Sequence, residues 1–220
     1  MTAPACAVDV WRLPLDGHAV VDHGLLSDDE RRRLAAFRSM AAAHRFGATR
    51  TALRRLLAAR LSVDARSLDI ATGPIGKPFL PAHPALRFNV SHAGALALVA
   101  LCEQADVGID LEPAASFADA PRLWPTVCSD AEQRWLAAHP ERAVQAFGRL
   151  WTRKEAVLKA LGSGLAAGAR AVDFSTHMAA TSGTTSGVAW QDLTVDDAGF
   201  AALAAVGAGP LQVGWHDAIA

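Results

Sequence analysis

The sequence predicts an α+β fold made of two similar lobes, each with a small, largely antiparallel sheet packed against helices. In each half, helical patterns are followed by several short apolar runs that are typical of strands. A stretch rich in Pro, Ala and Ser, from Pro113 to Pro125, separates the halves and has the composition of a linker. The 220 residues suffice for two lobes with their own cores, so we expect lobes at 1–112 and 113–220.

The first lobe begins with a weak alternation of apolar residues over 5–15, which predicts a strand. Ser27 and Glu30 have the spacing of a capping box, in which each side chain bonds the other residue's backbone, and they predict a helix start. The remaining elements of this lobe are a helix from about Ala41 to Leu61, a turn-rich loop at 73–78, and strands at 86–90, 96–101 and 107–111.

The second lobe begins with another capping box, formed by Ser129 and Glu132, which predicts a helix that runs to Ala138. A further helix includes residues 150–161 and ends at Gly162 and Gly164. A stretch rich in Thr, Ser and Gly, from 175 to 187, is expected to be a mobile loop. Strand-like segments complete the lobe at 169–174, 188–193, 200–206 and 211–215.

Composition and charge exclude several classes of protein. A hydrophobic fraction of 51% and a charged fraction of 20% describe a globular chain, and a net charge of −1 does not indicate nucleic-acid binding. The longest apolar run, Ala95 to Cys102, is too short to cross a membrane. Residues 1–10 lack the basic start of a signal peptide. The three cysteines are far apart in sequence and are expected to be reduced thiols, so we expect a cytoplasmic protein.

The helix at 150–161 carries charged residues where its apolar pattern should continue. Lys154 and Glu155 lie among apolar residues at helical spacing, and a charge on a core-facing flank costs free energy unless something pairs with it. Glu155 and Lys159 are one turn apart, so a surface helix with an ion pair is the simpler interpretation. Lysine is otherwise rare, since Lys77 is the only other one, and this marks all three as candidates for a specific role.

The strand at 107–112 places two carboxylates on one face. Because side chains alternate along a strand, Asp110 and Glu112 point the same way, with their Cα atoms roughly 7 Å apart. Gly108 lies on that face and would leave room for a ligand to approach. Oxygen ligands in such an arrangement suit Mg²⁺. The alternative is the exposed face of an edge strand with ordinary acidic residues.

Two further segments carry possible phosphate contacts. Lys77 lies on a Gly/Pro-rich turn, but Pro78 follows it, so the sequence is not a P-loop and an ordinary kinase or NTPase is disfavoured. Ser91 and His92 lie at a strand end, and neighbouring residues point apart, which disfavours a catalytic Ser-His pair. No zinc-ligand spacing connects His92 with other histidines. Both side chains can donate hydrogen bonds to an anion.

In this order the motifs resemble the phosphopantetheinyl transferases, of the monomeric type that activates surfactin synthetase. About forty residues separate the last two motif blocks, as in that family, and the resemblance covers the chain from about Leu26 to Leu165. The blocks are Gly76-Lys-Pro78 leading to Phe88-Asn-Val-Ser-His92, then Val107-Gly-Ile-Asp-Leu-Glu112, then Trp151-Thr-Arg-Lys-Glu-Ala-Val-Leu-Lys159.

The resemblance implies a pseudo-dimer of two lobes, with the active site at their interface. It implies that the 4'-phosphopantetheine arm of CoA is transferred to a serine of an acyl or peptidyl carrier protein, releasing adenosine 3',5'-bisphosphate. The expected metal is Mg²⁺, with Mn²⁺ as an alternative, and neither nucleic acid nor a membrane is an expected partner. A monomer is expected. The pathway served, whether fatty-acid, polyketide or nonribosomal-peptide biosynthesis, stays open.

Residue roles also follow from the resemblance. It implies that the metal ligands are Asp110, Glu112 and Glu155. It implies that CoA is contacted at the nucleotide by Lys77, Ser91 and His92, at the 3'-phosphate by Arg45 and Arg33, and at the diphosphate by Lys154 and Lys159. Glu132 has the position of a carboxylate that would help to deprotonate the serine, so Glu155, Lys159, Glu132 and Lys154 are the expected catalytic residues. Ala42 and Phe46 depart from the family pattern at the adenine end. The rival class is a CoA- or nucleotide-binding module without catalysis.

Overall fold

The computed structural model describes residues 4–16, 18–164, 168–195 and 199–217, and Leu165, the expected limit of the resemblance, lies outside them. Its mixed helices and sheets confirm the α+β class. The α-helices are α1 (Asp28–Ala35), α2 (Met40–Leu61), α3 (Trp124–Val127), α4 (Asp130–Ala138) and α5 (Ala143–Leu161). The strands are β1 (Cys6–Pro14), β2 (Ala71–Thr72), β3 (Pro78–Phe79), β4 (Arg87–Ala93), β5 (Leu96–Cys102), β6 (Val107–Pro113), β7 (Ser182–Thr185), β8 (Val188–Leu193), β9 (Gly199–Val206) and β10 (Leu211–Asp217).

Two four-stranded sheets organise the molecule. The first has the order β10-β1-β5-β4 and the second β6-β9-β8-β7, while β2 and β3 form a separate short hairpin. Among the strands that the structure describes, all pairs are antiparallel except β1 with β10, where Val10 lies opposite Trp215. The C-terminal strand therefore completes the first sheet. The predicted division at 112/113 stays a prediction.

Three apolar clusters order the layers. Leu53 and Leu57 of α2 pack with Phe88 on one face of the first sheet. The opposite face of that sheet packs on the second sheet through a central cluster of residues from both: Val8, Val10, Leu98, Ala100, Val107, Ile109, Leu111 and Leu203. The outer face of the second sheet packs on α5, where Leu150 and Val157 are fully buried. The order of the layers is thus helix, sheet, sheet, helix. The alternation predicted for β6 is present, since its apolar side chains face the central cluster.

Local signals in the sequence predicted several helix ends correctly. Both capping boxes form, with Ser27 and Ser129 each accepting a backbone hydrogen bond from the glutamate three residues later. Helix α5 ends where glycine was expected, since Gly162 has a φ of 69°, a left-handed conformation that suits glycine.

Three segments differ from the prediction. Residues 169–174 form turns instead of a strand. Their apolar pattern reflects burial of side chains such as Phe174 in the core, which does not require pairing with another strand. The expected loop at 175–187 contains a 3-10 helix (Ser175–His177) and strand β7, which pairs with β8 across a turn with positive φ at Ser186 and Gly187. The linker-like stretch at 113–125 holds short helices, and its Phe117 is anchored in the core at 2% exposure.

The expected compartment rests on the sequence. All three cysteines are free, and all three are buried. None of the helices in the described ranges combines the length and apolar character needed to span a membrane. A cytoplasmic location stays a prediction.

Helix α5 lies unusually close to strand β6 at Gly108. A Cβ atom on Gly108 would come within 2.1 Å of the Ala156 carbonyl oxygen and 2.4 Å of the Ala160 nitrogen. Both of these are backbone atoms and cannot move aside. The space at Gly108 was expected to admit a ligand, but the helix occupies it.

We expect Gly108→Ala to lower the free energy of unfolding by about 1–3 kcal/mol or more, because a methyl group forced into a packed contact displaces backbone. Urea unfolding followed by circular dichroism measures the change. Gly168→Ala is the matched control, since a Cβ there meets nothing within 4 Å, and its effect should stay within about 0.5 kcal/mol. Equal stability of the two variants would contradict the packing argument.

Candidate active site

Three carboxylates meet where α5 crosses β6. Asp110 and Glu112 lie on the face of β6 turned toward α5, and Glu155 lies on α5. Asp110 is 3% exposed, while Glu112 and Glu155 are half-buried. The charge of Asp110 acts on both glutamates, which places all three carboxylates in one electrostatic site. These three residues are thus close enough to influence one another, and their role as metal ligands stays a prediction.

Lys159 supplies the positive charge nearest to this group. Its Nζ atom lies 2.7 Å from Asp110 Oδ1, 3.2 Å from the Ile109 carbonyl oxygen and 3.3 Å from Ser91 Oγ. The ion pair expected between Glu155 and Lys159 is replaced by this contact with Asp110, because β6 is within reach of the ammonium. The side chain keeps 29% exposure and is thus open to a ligand.

The carboxylates are short of positive charge. Burial raises the pKa of Glu112, and the charge of Asp110 raises it further. Burial also raises the pKa of Glu155; Lys159 opposes this shift and Asp110 adds to it. Asp110 Oδ2 is buried and has no hydrogen-bond partner among the residues that the structure describes. A buried carboxylate oxygen without a partner is costly, so a bound cation would be favourable at this position.

These donors fit a divalent cation that prefers oxygen. Across the described parts of the chain, no group of three His, Cys, Asp or Glu side chains is already arranged around one metal position. The fit therefore rests on the free oxygen of Asp110 and on the two glutamates, whose raised pKa values a cation would reverse. Carboxylate oxygens are the ligands that Mg²⁺ prefers.

A group of basic side chains adjoins the carboxylates. His92 is an exposed residue of β4, but partial desolvation lowers its pKa, and the charges of Arg45 and Lys159 lower it further, with a smaller contribution from Arg33. These four residues therefore share one region of positive potential. Arg33 is exposed, and its guanidinium lies 5.1 Å from the centre of the Phe46 ring. The arrangement can bind an anion with several negative charges.

Lys77 connects its loop to the end of α5. Its Nζ atom donates a 3.0 Å hydrogen bond to the Ala160 carbonyl oxygen and lies 4.0 Å from Asp106 Oδ1. Burial lowers the pKa of this lysine. A cavity of about 340 Å³ opens beside it, lined by residues that include Ile75 and Arg87. The ammonium thus caps a helix C-terminus and borders a cavity.

Ser91 lies inside the site. It is 8% exposed, and its Oγ atom donates to Asp110 Oδ1 at 3.1 Å while accepting from the Leu111 amide at 3.2 Å. With Lys159 as a third partner, the hydroxyl is fully engaged by the protein. Ser91 is therefore better placed to hold the Asp110 carboxylate than to bind a ligand.

Known proteins of one family are similar to this chain over most of its length. Residues 106–199 match the family model described as the 4'-phosphopantetheinyl transferase superfamily, and residues 11–104 match the model for the N-terminal part of a 4'-phosphopantetheinyl transferase. The 4'-phosphopantetheinyl transferase HetI of Nostoc sp. is 33% identical over 218 residues, covering 95% of this chain and 92% of HetI.

The chain belongs to the 4'-phosphopantetheinyl transferase superfamily.

Two more distant members support the assignment. A 4'-phosphopantetheinyl transferase of Bacillus subtilis is 30% identical over 143 residues, which cover 64% of this chain and 62% of the relative. A phosphopantetheinyl transferase of Thraustochytrium sp. is 28% identical over 197 residues, covering 78% and 67% respectively. The family resemblance drawn from the motifs is confirmed.

The positions of Lys154 and Glu132 call for a correction. In this superfamily member both side chains are 0% exposed, and Lys154 Nζ lies 2.7 Å from Glu132 Oε2. Lys154 also donates to the carbonyl oxygens of Val127 and Ala169, at 3.0 and 2.8 Å. Its three donors are therefore used, and it lacks the solvent access that a contact with a diphosphate requires.

Glu132 is equally enclosed. It accepts hydrogen bonds from the backbone of Ser129 at 2.7 Å, through its capping box, and from the Phe174 amide at 2.7 Å. A carboxylate with these partners and an ammonium beside it is a poor general base for an incoming serine. The pair instead fixes the start of α4 against α5.

Asn89 is a site residue that sequence reasoning did not single out. It is 4% exposed, and its Oδ1 atom accepts a 2.9 Å hydrogen bond from the Ile109 amide, next to Asp110. It lies two residues before Ser91 and on the same face of β4. A polar residue at an inward position of a buried strand was the available signal.

We expect Lys154→Met to cost about 3–5 kcal/mol of unfolding free energy, because it leaves the Glu132 carboxylate buried without its partner. Adding Glu132→Gln removes the stranded charge, so the double variant should be more stable than the sum of the single changes predicts. Urea unfolding of all four proteins measures the coupling. Additive effects would contradict a buried structural pair.

Proposed function

We propose that this protein is a 4'-phosphopantetheinyl transferase that moves the phosphopantetheine arm of CoA onto a serine of an acyl or peptidyl carrier protein. The observation that carries the proposal is the adjacency of two oppositely charged groups at α5 and β6. Three carboxylates lie next to an open lysine, and this lysine belongs also to the basic region around His92. A metal-bound diphosphate presents the complementary pattern of charge. Family membership supports the same reaction.

We assign Asp110, Glu112 and Glu155 to the binding of Mg²⁺, with Mn²⁺ as an alternative. The free Oδ2 atom of Asp110 and the two glutamates with raised pKa values supply oxygen ligands. When bound, the cation would polarise the diphosphate and stabilise charge on the leaving phosphate. The protein contributes a buried strand and a packed helix, which hold the ligands in place.

We assign the basic group to the phosphates of CoA. We assign the partly exposed Lys159 to the diphosphate, and Arg45, His92 and Arg33, which share one basic region, to the 3'-phosphate and nucleotide. Lys77 borders the cavity beside its loop, and we assign it to the nucleotide. Transfer of this kind depends mainly on positioning and on neutralising charge.

The bond changes follow from the substrates. The carrier serine oxygen attacks the phosphorus that bears the pantetheine arm, and the bond from this phosphorus to the oxygen bridging the diphosphate breaks. Adenosine 3',5'-bisphosphate leaves with that electron pair, and the serine proton passes to solvent or a base. The site must therefore stabilise a leaving phosphate, which a cation and Lys159 can do.

We expect wild-type protein, CoA and Mg²⁺ to add one phosphopantetheine to an apo carrier protein, detected by intact-protein mass spectrometry. Asp110→Asn and Glu155→Gln should slow transfer by about a hundredfold or more, since removing one electrostatic contact to a developing charge has effects of that size. Glu141→Gln changes a surface carboxylate and should stay active.

Two outcomes would count against these assignments. Wild-type rates in both Asp110→Asn and Glu155→Gln would overturn the metal site. Absence of any adduct across fatty-acid, polyketide and nonribosomal-peptide carriers would overturn the transferase proposal.

The raised pKa values predict how pH and Mg²⁺ act together. Glu112 and Glu155 take up protons at higher pH than ordinary glutamates, and a protonated carboxyl binds a cation poorly. Activity should therefore fall on the acid side at limiting Mg²⁺, and more Mg²⁺ should shift this fall to lower pH. Rates measured against pH at two Mg²⁺ concentrations and constant ionic strength test this. An acid limb that does not move would contradict it.

A further inference from the structure

The contact between β4 and β6 joins the two sheets without a shared ladder. Within the described chain, β4 ends the order of the first sheet and β6 ends that of the second. Strand β6 pairs with β9 on one side, so alternate residues of β6 turn their backbone N–H groups away from its partner. Such outward donors need partners when an edge strand is buried.

Two side chains of β4 provide those partners. Asn89 Oδ1 accepts from the Ile109 amide at 2.9 Å, and Ser91 Oγ accepts from the Leu111 amide at 3.2 Å. Asn89 and Ser91 are two residues apart on one face of β4, as Ile109 and Leu111 are on β6. At 4% and 8% exposure, both acceptors are shielded from water. The side chains thus take the place of a strand ladder.

Asp110 is the residue between the two anchored amides. A backbone held at both neighbours cannot slide along β4, so the carboxylate keeps its position relative to Lys159, 2.7 Å away. Ser91 touches the Asp110 carboxylate itself, at 3.1 Å. Asn89 acts at one remove, through the Ile109 backbone.

We propose that Asn89 is a positioning residue that fixes the metal-binding carboxylate of Asp110 by holding the edge of β6. The inference rests on the proposed function, since the metal-binding role of Asp110 belongs to it. The feature required of residue 89 is a side-chain oxygen at this position. Asparagine and aspartate supply one, and leucine of similar size does not.

The test compares Asn89→Leu, which removes the acceptor, with Asn89→Asp, which keeps it. Thr51→Val is the matched control, because Thr51 is 1% exposed and its Oγ1 atom likewise accepts a backbone hydrogen bond, from Asp22 at 3.0 Å, away from the carboxylates. Three quantities are measured: hydrogen exchange of the Ile109 amide by NMR, Mn²⁺ binding in the presence of CoA by EPR, and transfer kinetics.

We expect Asn89→Leu to speed exchange at Ile109 and to raise the Kd for Mn²⁺ by about tenfold or more, the scale seen for groups that orient metal ligands. The value of kcat should fall by a similar factor. The KM for CoA should change little, since within the described chain Asn89 makes no hydrogen bond to a basic residue assigned to CoA. Asn89→Asp should keep protection at Ile109 and most of the Mn²⁺ affinity. Thr51→Val should lose stability without changing Mn²⁺ binding.

Several results would overturn the proposal. Unchanged hydrogen exchange at the Ile109 amide in Asn89→Leu would show that Asn89 does not protect this amide, and the proposal depends on that hydrogen bond. Faster exchange of the Ile109 amide together with wild-type Mn²⁺ affinity would show that Asn89 has only a structural role and does not position the metal ligand. If Asn89→Leu does not fold, Asn89→Ala removes the acceptor without the bulk and carries the same expectations. Wild-type protein that neither binds Mn²⁺ nor transfers phosphopantetheine would overturn the proposed function and this role together, a result distinct from failure of Asn89 alone.

Discussion

The close approach of α5 to β6 at Gly108 is the constraint on which the site depends. With the Ala156 carbonyl oxygen 2.1 Å from where a Cβ would lie, the helix can reach the strand backbone at this point. Glu155 precedes that contact along α5, Lys159 takes part in it, and Asp110 follows it along β6. Residues from two elements thus meet because one side chain is missing between them. The same close contact between α5 and β6 therefore determines both the packing of the core and the geometry of the site.

The site divides into a part rich in carboxylates and a part rich in basic side chains. Asp110 keeps one oxygen without a partner among the described residues, and burial raises the pKa of both Glu112 and Glu155. On the other side, burial lowers the pKa of His92, and the positive charges of Arg45 and Lys159 lower it further. Lys159 acts on both parts. A diphosphate with a bound divalent cation would satisfy both at once, which a phosphate or a cation alone would not.

Patterns that depend on near neighbours in the chain were predictable, and distant partners were not. Alternation along β6 predicted the face of Asp110, and capping boxes predicted two helix starts. The sequence also showed that Lys154 lies on the apolar side of its helix. This position does not indicate whether the lysine pairs with a ligand or with a buried residue such as Glu132. Likewise, Arg153 is 1% exposed and bonds Asp192, 39 residues away, which no local pattern indicates. The family resemblance also placed Lys154 and Glu132 among the catalytic residues, whereas the structure buries them together as an ion pair.

Lys154 and Lys159 illustrate how position on a helix separates two uses of one residue type. Five residues at about 100° each place them roughly 140° apart around α5, so they face different neighbours. Lys154 points into the core between α4 and α5, where two carbonyl oxygens and Glu132 enclose it. Lys159 points along β6 and keeps 29% exposure. A charge that is enclosed can only hold elements together, whereas one that is partly open can also exchange its protein partner for a substrate phosphate.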